Sequence, residues 1–301
     1  MIILVFVISL SCFTAFANKF PTGLELKQKN FFSEKHDDGK KIIIFGSSHV
    51  GQLNTTNIDS ILNSNEKNYQ IYNLAYNADL PSRRLQFVDE INDLRPIIII
   101  YGISYRDLQT SINENPLPDP KYFFNQISKQ VIHNDITVNP KLITLNFIRN
   151  LQGEQNNRII SYPNTPFFIY NPETQIHITN EIELEKDSGG SEVHLEMPEK
   201  NSEVKSLIEL IHKFQKNHIK VVLFLTPLNN HYLQSVDPLQ HLIFNSTINY
   251  VKKETNIPIY DLRYRYSEMP IWANISHVAF NKNATIYSDD IARIILDEIE
   301  S

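Results

Sequence analysis

The stretch KIIIFGSSH, residues 41–49, carries the clearest structural signal in the chain. Its run of β-branched and aromatic residues contains no polar position, which favours a strand buried on both faces. Glycine and two serines follow at residues 46–48, so the strand runs into a tight turn. A helical stretch at residues 58–62 comes next, and this alternation of strand and helix is typical of an α/β protein.

The same alternation recurs along the chain. Four further strands are predicted, at residues 69–74, 96–102, 221–227 and 257–262. Helices are predicted from Pro81 onward and at residues 204–214, 238–254 and 284–299. The sequence therefore predicts the α/β class with a doubly wound, five-stranded parallel sheet, flavodoxin-like and three-layered.

The proline-rich stretch 107–200 interrupts this alternation and is predicted as a large insertion, a cap, after strand three. Within it, the alternating pattern of residues 167–184 predicts a hairpin, and residues 188–191 predict a turn.

Two chemically capable side chains lie where such a sheet binds ligands. Ser48 follows the first strand, and His277 precedes the last helix. In open α/β sheets ligands bind at the carboxyl ends of the strands, near the point where strand order reverses. A hydroxyl on a strand-to-helix turn with an imidazole in reach is the arrangement that a serine nucleophile needs.

The chain resembles the SGNH (GDSL-type) hydrolase family over roughly residues 41–106 and 220–299. Gly46-Ser47-Ser48 matches that family's Gly-Asp-Ser turn with serine in place of aspartate, which implies that Ser48 is the nucleophile. Asn274-Ile-Ser-His277 matches the closing Asp-x-x-His block, which implies that His277 is the base. Asn274 then replaces the carboxylate, and it can orient the ring without supplying charge.

The resemblance also implies an oxyanion hole built from Ser48, Ala78 and Ser104. Ala78 stands where the family has a glycine, in the segment Asn73–Ala78, and a backbone N–H can still donate from alanine. Ser104 stands where the family has an asparagine, so its hydroxyl would have to serve. On this interpretation residues 18–301 form a single SGNH-like domain.

Other residues after the strands are candidates for the pocket. They are His49, Asn77, Tyr105, Arg106, Pro227, Asn229 and Trp272. Several side chains have a second interpretation. Ser48 can be a helix N-cap, His277 a packed loop residue, and Ser104 a plain turn residue. Trp272 is either a sugar-stacking platform or a packed aromatic. Asp107 and Asp261 are alternative carboxylates.

The N-terminal segment has the pattern of a targeting signal. Residues 2–17 are apolar but shorter than a bilayer span requires, and they end in Ala15-Phe16-Ala17, a signal-peptidase pattern. Residues 1–17 are predicted as a signal peptide or short anchor, with the protein secreted or at the cell surface or envelope. The single cysteine, Cys12, lies in this segment and excludes an internal disulfide. Sequons that fit a glycoprotein start at Asn54, Asn245, Asn274 and Asn283.

Charge and motif content exclude other classes of function. The net charge is -6 and no basic stripe is present, so no nucleic acid partner is expected. The ten histidines show no metal-ligand spacing, so no metal or other cofactor is expected. Residues 46–51 lack the patterns of a phosphate-binding loop.

The sequence thus predicts an exported serine esterase or acyltransferase. One branch of the SGNH superfamily has a Gly-Ser-Ser turn like this one, and that branch resembles surface-polymer acyl-transfer proteins. The expected substrate is therefore the O-acyl group of a surface glycan or another ester. A membrane tether through the N-terminal segment is part of this prediction. The alternative is a catalytically decayed module of the same fold that binds a glycan or a protein partner; a surface structural protein is the third.

Overall fold

The structure is a computed structural model, which describes residues 28, 30–34, 39–64, 67–109, 164–168, 175–186 and 193–301. The predicted segment 1–17 with Cys12, much of the predicted insertion and the turn at 188–191 lie outside these residues. Residues 36–114 and 158–301 form one compact unit, which holds the fold and site below. Residues 1–35 and 115–157 form a second unit, described only at residues 28 and 30–34.

Seven strands and nine α-helices have both ends within the described residues. The strands are β1 Lys40–Phe45, β2 Tyr69–Asn73, β3 Ile98–Ile103, β4 Lys220–Leu225, β5 Ile259–Asp261, β6 Trp272–Asn274 and β7 His277–Val278. The helices are α1 Ser48–Gly51, α2 Thr55–Leu62, α3 Pro81–Arg84, α4 Val88–Asp93, α5 Glu181–Lys186, α6 Ser202–Lys216, α7 Asn230–Ser235, α8 Pro238–Thr255 and α9 Ile286–Glu300. Short 3₁₀ turns cover Leu85–Phe87, Arg106–Leu108 and Lys282–Ala284.

Strands β1 to β5 form one parallel sheet in the order β2-β1-β3-β4-β5, which confirms the predicted fold class. The central strand β1 pairs with both neighbours, with Ile44 opposite Asn73 on one side and Ile100 on the other. Residues 42–45 are fully buried because helices cover both faces of the sheet. The chain leaves β1 in one direction and returns past it to β3, so the strand order reverses between these two carboxyl ends.

The covering helices form two groups. On one side α2 packs against α9, and on the other α6 packs against α3, α4 and α8. Each group presents an apolar face inward, as with Leu207 and Phe214 of α6. The predicted helices are therefore present, and the edge at the carboxyl ends of the strands is called the open edge below.

The turn after β1 depends on two glycines, residues without a Cβ atom. Gly46 has φ +148°, and a Cβ there would lie 2.3 Å from Val50 Cγ2 and 2.8 Å from the Gly102 carbonyl oxygen. A Cβ on Gly102 would lie 2.4 Å from the Phe224 ring. Glycine is required at both positions, since the first has a backbone conformation that side chains disfavour and both lack space. The close approach that results sets Ser48 at the edge of the sheet.

Two local features differ from the sequence prediction. The hairpin predicted at residues 167–184 is wrong over its described part, since Glu181–Lys186 is helix α5 and residues 175–180 contain no strand. Asn180 caps the start of this helix by accepting from the Glu183 N–H, so capping overrides the alternating pattern. Conversely, β6 and β7 form an antiparallel pair that the sequence did not reveal. In the described residues, no helix has the length and apolar character needed to span a bilayer.

Candidate functional site

Ser48 is the first residue of α1 and follows β1 directly after the glycine turn. Its side chain is partly exposed, whereas Ser47 and His49 on either side are buried. The N–H groups of Val50 and Gly51 bond to the Ser47 carbonyl, which closes the short helix. The Ser48 N–H lies in the first turn of the helix, where backbone donors lack an intrahelical acceptor. The hydroxyl and this N–H therefore stand together at the open edge of the sheet.

His277 lies against Ser48 although 229 residues separate them. The Ser48 hydroxyl donates to His277 Nε2 at 2.7 Å. The ring is carried by β7, and β7 contacts α1 directly. A hydroxyl hydrogen-bonded to a neutral imidazole nitrogen is the geometry in which the imidazole can accept the hydroxyl proton during nucleophilic attack.

Asn274 occupies the other side of the imidazole. His277 Nδ1–H donates to Asn274 Oδ1 at 2.9 Å, and Ser276 Oγ lies 2.9 Å from the same nitrogen. Asn274 Oδ1 also accepts from the backbone N–H groups of Ser276 and His277, both at 3.0 Å, and from Ser276 Oγ at 3.1 Å. One amide oxygen thus ties the β6–β7 turn and fixes the ring and its tautomer, but it adds no negative charge.

His49 packs flat on the imidazole. The two rings are 4.6 Å apart between centroids with 2° between their planes. His49 Nδ1 lies 3.1 Å from Ser47 Oγ, and the side chain is buried. Burial, followed by electrostatic interactions with His277 and Arg106, holds the pKa of His49 well below its usual value. The ring is therefore neutral at physiological pH.

Ala78 lies in the loop after β2, beside the end of β1. This loop is held by the Tyr76 N–H, which donates to the Gly46 carbonyl at 3.3 Å. Ala78 has φ +53°, the left-handed conformation for which glycine is the usual residue. Both Asn77 and Ala78 are exposed, and within the described residues the Ala78 N–H has no acceptor. A ligand could therefore use this N–H.

The loop is anchored by a buried ion pair. Arg84 Nε donates to Asp79 Oδ2 at 2.7 Å, and the guanidinium lies 4.5 Å from the ring centroids of both Phe45 and Tyr76. Arg84 also donates to the Leu74 carbonyl at 2.6 Å. Because the pair is enclosed and hydrogen-bonded, it holds the backbone between β2 and α3 in one conformation.

Ser104 follows β3 and is buried. Its N–H donates to Asp107 Oδ2 at 2.6 Å, so the backbone donor is occupied and only the hydroxyl remains for an oxyanion. Asp107 is enclosed by protein, and burial raises its pKa to about 7 against the opposing hydrogen bond from the Ser104 backbone. The alternative carboxylate Asp261 forms an ion pair with Arg263 at 2.6 Å. Both aspartates thus have partners of their own.

The buried carboxyl of Asp107 makes stability depend on pH. It keeps its proton up to about pH 7 in the folded chain and loses it near pH 3.8 when unfolded, so stability falls as pH rises between these values. The free energy of unfolding should therefore fall less between pH 5 and pH 8 in Asp107→Asn than in wild type, by ~2–3 kcal/mol. Urea unfolding at both pH values measures this difference. Asp93→Asn, on the exposed end of α4, is the control and should keep the wild-type fall. An unchanged fall in Asp107→Asn would contradict the prediction.

Four of the predicted pocket residues are used for packing. Tyr105 is fully buried, stacked on Phe244 at 4.1 Å and hydrogen-bonded to His241 at 2.7 Å. Trp272 is also fully buried, with Nε1–H donating to the Tyr266 carbonyl, so no sugar can stack on its ring.

The other two lie after β4. Pro227 is buried. Asn229 is buried as well, and it caps α7 by accepting from the His231 N–H at 2.9 Å. Its own N–H donates to the Ile275 carbonyl, which fastens the β6–β7 turn. Arg106 and Asn77 are exposed at the open edge of the sheet, where a ligand could reach them.

Sequence reasoning missed one contributor to the site, Ser276, and named His49 as a pocket candidate without its contact. Ser276 touches His277 Nδ1, and His49 stacks on the ring face. His49 has the local setting of a helix-start residue, so neither its burial nor its contact with a residue so distant in sequence could be read from the pattern. Among the described residues, no three histidine, cysteine, aspartate or glutamate side chains cluster as metal ligands would.

The sequence matches no protein-family model, and no curated protein is significantly similar to it. Solved structures that resemble the chain include a psychrotrophic esterase from a Pseudoalteromonas species, at 10% identity and TM-score 0.47 over 87% of this chain and 100% of that chain. An acetyl xylan esterase matches at 13% identity and TM-score 0.45, covering 85% of this chain and 99% of that chain. A putative acylhydrolase from Bacteroides fragilis matches at 11% identity and TM-score 0.44, covering 93% and 98%.

The architecture can be assigned from the strand order and from the places of the matched blocks within it. Ser48 follows the central strand β1, Ala78 and Ser104 follow the strands on either side, and His277 precedes the last helix. We conclude that the chain has a doubly wound, flavodoxin-like α/β fold, with the residues that the sequence matches to blocks of the SGNH (GDSL-type) hydrolases at the carboxyl ends of its strands or, for His277, ahead of its last helix.

Proposed function

We propose that the protein is a serine esterase or acyltransferase with Ser48 as nucleophile and His277 as base. The observation that carries the proposal is the 2.7 Å hydrogen bond from the Ser48 hydroxyl to His277 Nε2, with Nδ1 held by Asn274. Asn274 fixes the tautomer in which Nε2 carries a lone pair that can accept a proton. The same pairing of a base with an orienting amide serves Cys-His-Asn enzymes.

The reaction follows from this geometry. Ser48 Oγ bonds to the acyl carbonyl carbon while its proton passes to His277 Nε2, and the carbonyl electron pair moves onto oxygen. When the tetrahedral intermediate collapses, the bond to the alcohol breaks and the leaving oxygen takes the proton from Nε2. Water or an acceptor hydroxyl then repeats both steps on the acyl-serine. The N–H groups of Ser48 and Ala78 and the Ser104 hydroxyl are the proposed donors to the oxyanion.

The proposed substrate is the O-acyl group of a surface glycan, and the proposed location is outside the cell. Support for export is the apolar segment 2–17 with its Ala15-Phe16-Ala17 ending. Support for a glycan is the likeness of the Gly-Ser-Ser turn to that of surface-polymer acyl-transfer proteins. A comparison of kcat/KM for acetylated xylo-oligosaccharides and for p-nitrophenyl acetate tests the substrate class, because a glycan enzyme should favour the sugar ester.

A fluorophosphonate probe tests the nucleophile directly. The folded protein should add one phosphonyl group as Ser48 Oγ displaces fluoride, and peptide mapping by mass spectrometry should place the adduct on Ser48. Protein unfolded in urea is the control and should stay unlabelled, since an isolated serine is not activated. Labelling of another serine would contradict the assignment.

A second candidate is a binding module that has lost its chemistry. The observation in its favour is Asn274, a neutral amide at the Nδ1 position where a serine-protease triad has a carboxylate. In serine proteases the equivalent loss costs about 10⁴ in turnover. Absence of labelling from pH 6 to pH 9 would favour this module over the enzyme.

A further inference from the structure

The second histidine of the site, His49, has a geometry that the reaction above does not use. Its ring stacks on that of His277, with 4.6 Å between the ring centroids and an angle of 2° between the ring planes. The side chain is 6% exposed, and its Nε2 has no hydrogen-bond partner among the described residues. Because Nε2 has no such partner, the placement of the ring depends on its Nδ1 contact and on its packing.

Two contacts hold this ring in place. Ser47 Oγ lies 3.1 Å from His49 Nδ1 and fixes the rotation of the ring about its side-chain bonds. Ser47 is the residue that replaces the aspartate of the family's turn. The other contact is the face of the His277 ring itself. The His49 ring thus has one edge fixed by a hydroxyl and one face against the base.

The charge state of His49 decides what this contact does. Burial lowers its pKa most, and electrostatic interactions with the neighbouring His277 and Arg106 lower it further. A neutral ring therefore faces His277, which becomes positively charged when it takes the Ser48 proton. A cation within about 6 Å of the face of an aromatic ring is attracted by the ring's π electrons, and more strongly where water is excluded.

This attraction can stabilise the imidazolium where Asn274 supplies no negative charge. Asn274 holds Nδ1–H through a neutral amide oxygen, which supplies no negative charge to the imidazolium. The face of His49 packs flat against the ring that carries this charge. A parallel stack also restricts tilting of the His277 ring, which keeps Nε2 directed at Ser48 Oγ.

We propose that His49 is a positioning residue whose neutral ring stacks on His277 and stabilises the imidazolium that forms when Ser48 transfers its proton. The inference rests on the proposed function, because it concerns the same proton transfer. It predicts that the ring face matters and that the ring nitrogens do not. Phenylalanine, which has a face but no nitrogen, should replace histidine, whereas leucine should not.

The test compares His49→Leu, His49→Phe and wild type for kcat and KM on p-nitrophenyl acetate. His49→Leu should lower kcat about 10-fold with KM within about twofold, and His49→Phe should stay within about threefold of wild type in kcat. His212→Leu, an exposed histidine on α6, is the matched control and should behave as wild type. Thermal unfolding of each variant shows whether it is folded, and His49→Met replaces His49→Leu if the latter does not fold.

The outcomes separate the inference from the function it rests on. If wild type shows neither turnover nor labelling at Ser48 by a fluorophosphonate, the proposed function fails. If wild type is active and a folded His49→Leu or His49→Met is equally active, the proposed function stands and the role of His49 is wrong. Equal losses in folded leucine and phenylalanine variants would also overturn it, since a nitrogen would then be required.

Discussion

Ser48→Ala is expected to lower the rate of p-nitrophenyl acetate hydrolysis at least about 10²-fold. Removing the serine of a complete triad lowers turnover about 10⁶-fold. Turnover at a site without the carboxylate is already about 10⁴-fold lower, so about 10²-fold remains to be lost with the serine. The variant should remain folded, because it loses one hydrogen bond at a partly exposed position, worth about 1 kcal/mol.

The control for this loss is Ser60→Ala. Ser60 is exposed on α2 and its hydroxyl donates only to the Asn57 carbonyl, so activity should not change. The measurement is the steady-state rate with the uncatalysed hydrolysis subtracted. A folded Ser48→Ala protein with wild-type turnover would remove the basis for the catalytic roles of Ser48, His277 and the oxyanion donors.

Asn274→Asp is expected to raise kcat at least about tenfold. A carboxylate oxygen can accept all the hydrogen bonds that Asn274 Oδ1 now accepts from Ser276 and His277, so the turn is preserved. The added charge lies against Nδ1–H and stabilises the imidazolium. In a protease triad, replacing this carboxylate by an amide lowers turnover about 10⁴-fold. Partial exposure of this turn screens the charge, so the gain should be smaller than that loss.

Asn283→Asp is the matched control. It adds the same charge in the loop after His277, on an exposed residue, and it also removes a sequon. Its kcat should equal that of wild type. The gain in Asn274→Asp should disappear when Ser48→Ala is added. A folded Asn274→Asp protein that is no faster than wild type would show that charge at His277 does not limit the reaction.

Much of the fold could be predicted because its signal is local. The apolar runs at residues 41–45 and 96–102 are strands buried on both faces, and each is followed by a turn that places polar residues at one edge. The proposal that Ser48 and His277 meet there came from this edge rule and the family blocks. The hairpin at residues 167–184 was predicted wrongly in its described part because a capped helix and a hairpin can share one short alternating pattern.

The roles of the remaining side chains could not be predicted, because they depend on packing between distant parts of the chain. Tyr105 and Trp272 stand at strand ends as pocket residues would, yet α8 and the Tyr266 loop enclose them. His49 has the same local setting as an exposed helix-start residue. Its burial comes from His277, which β7 brings to the same place.

The amino-acid sequence by itself determined the alternation of strands and helices, the parallel sheet, and the glycine turn that precedes Ser48, since these follow from side-chain size, branching and spacing over a few residues. Tertiary structure alone decided that Asn274 faces Nδ1, that His49 covers the imidazole, and that the β6–β7 pair delivers His277 to Ser48. Such contacts form only when all the layers pack together. Because they join residues that are far apart in the sequence, no short window of sequence contains a pattern that predicts them.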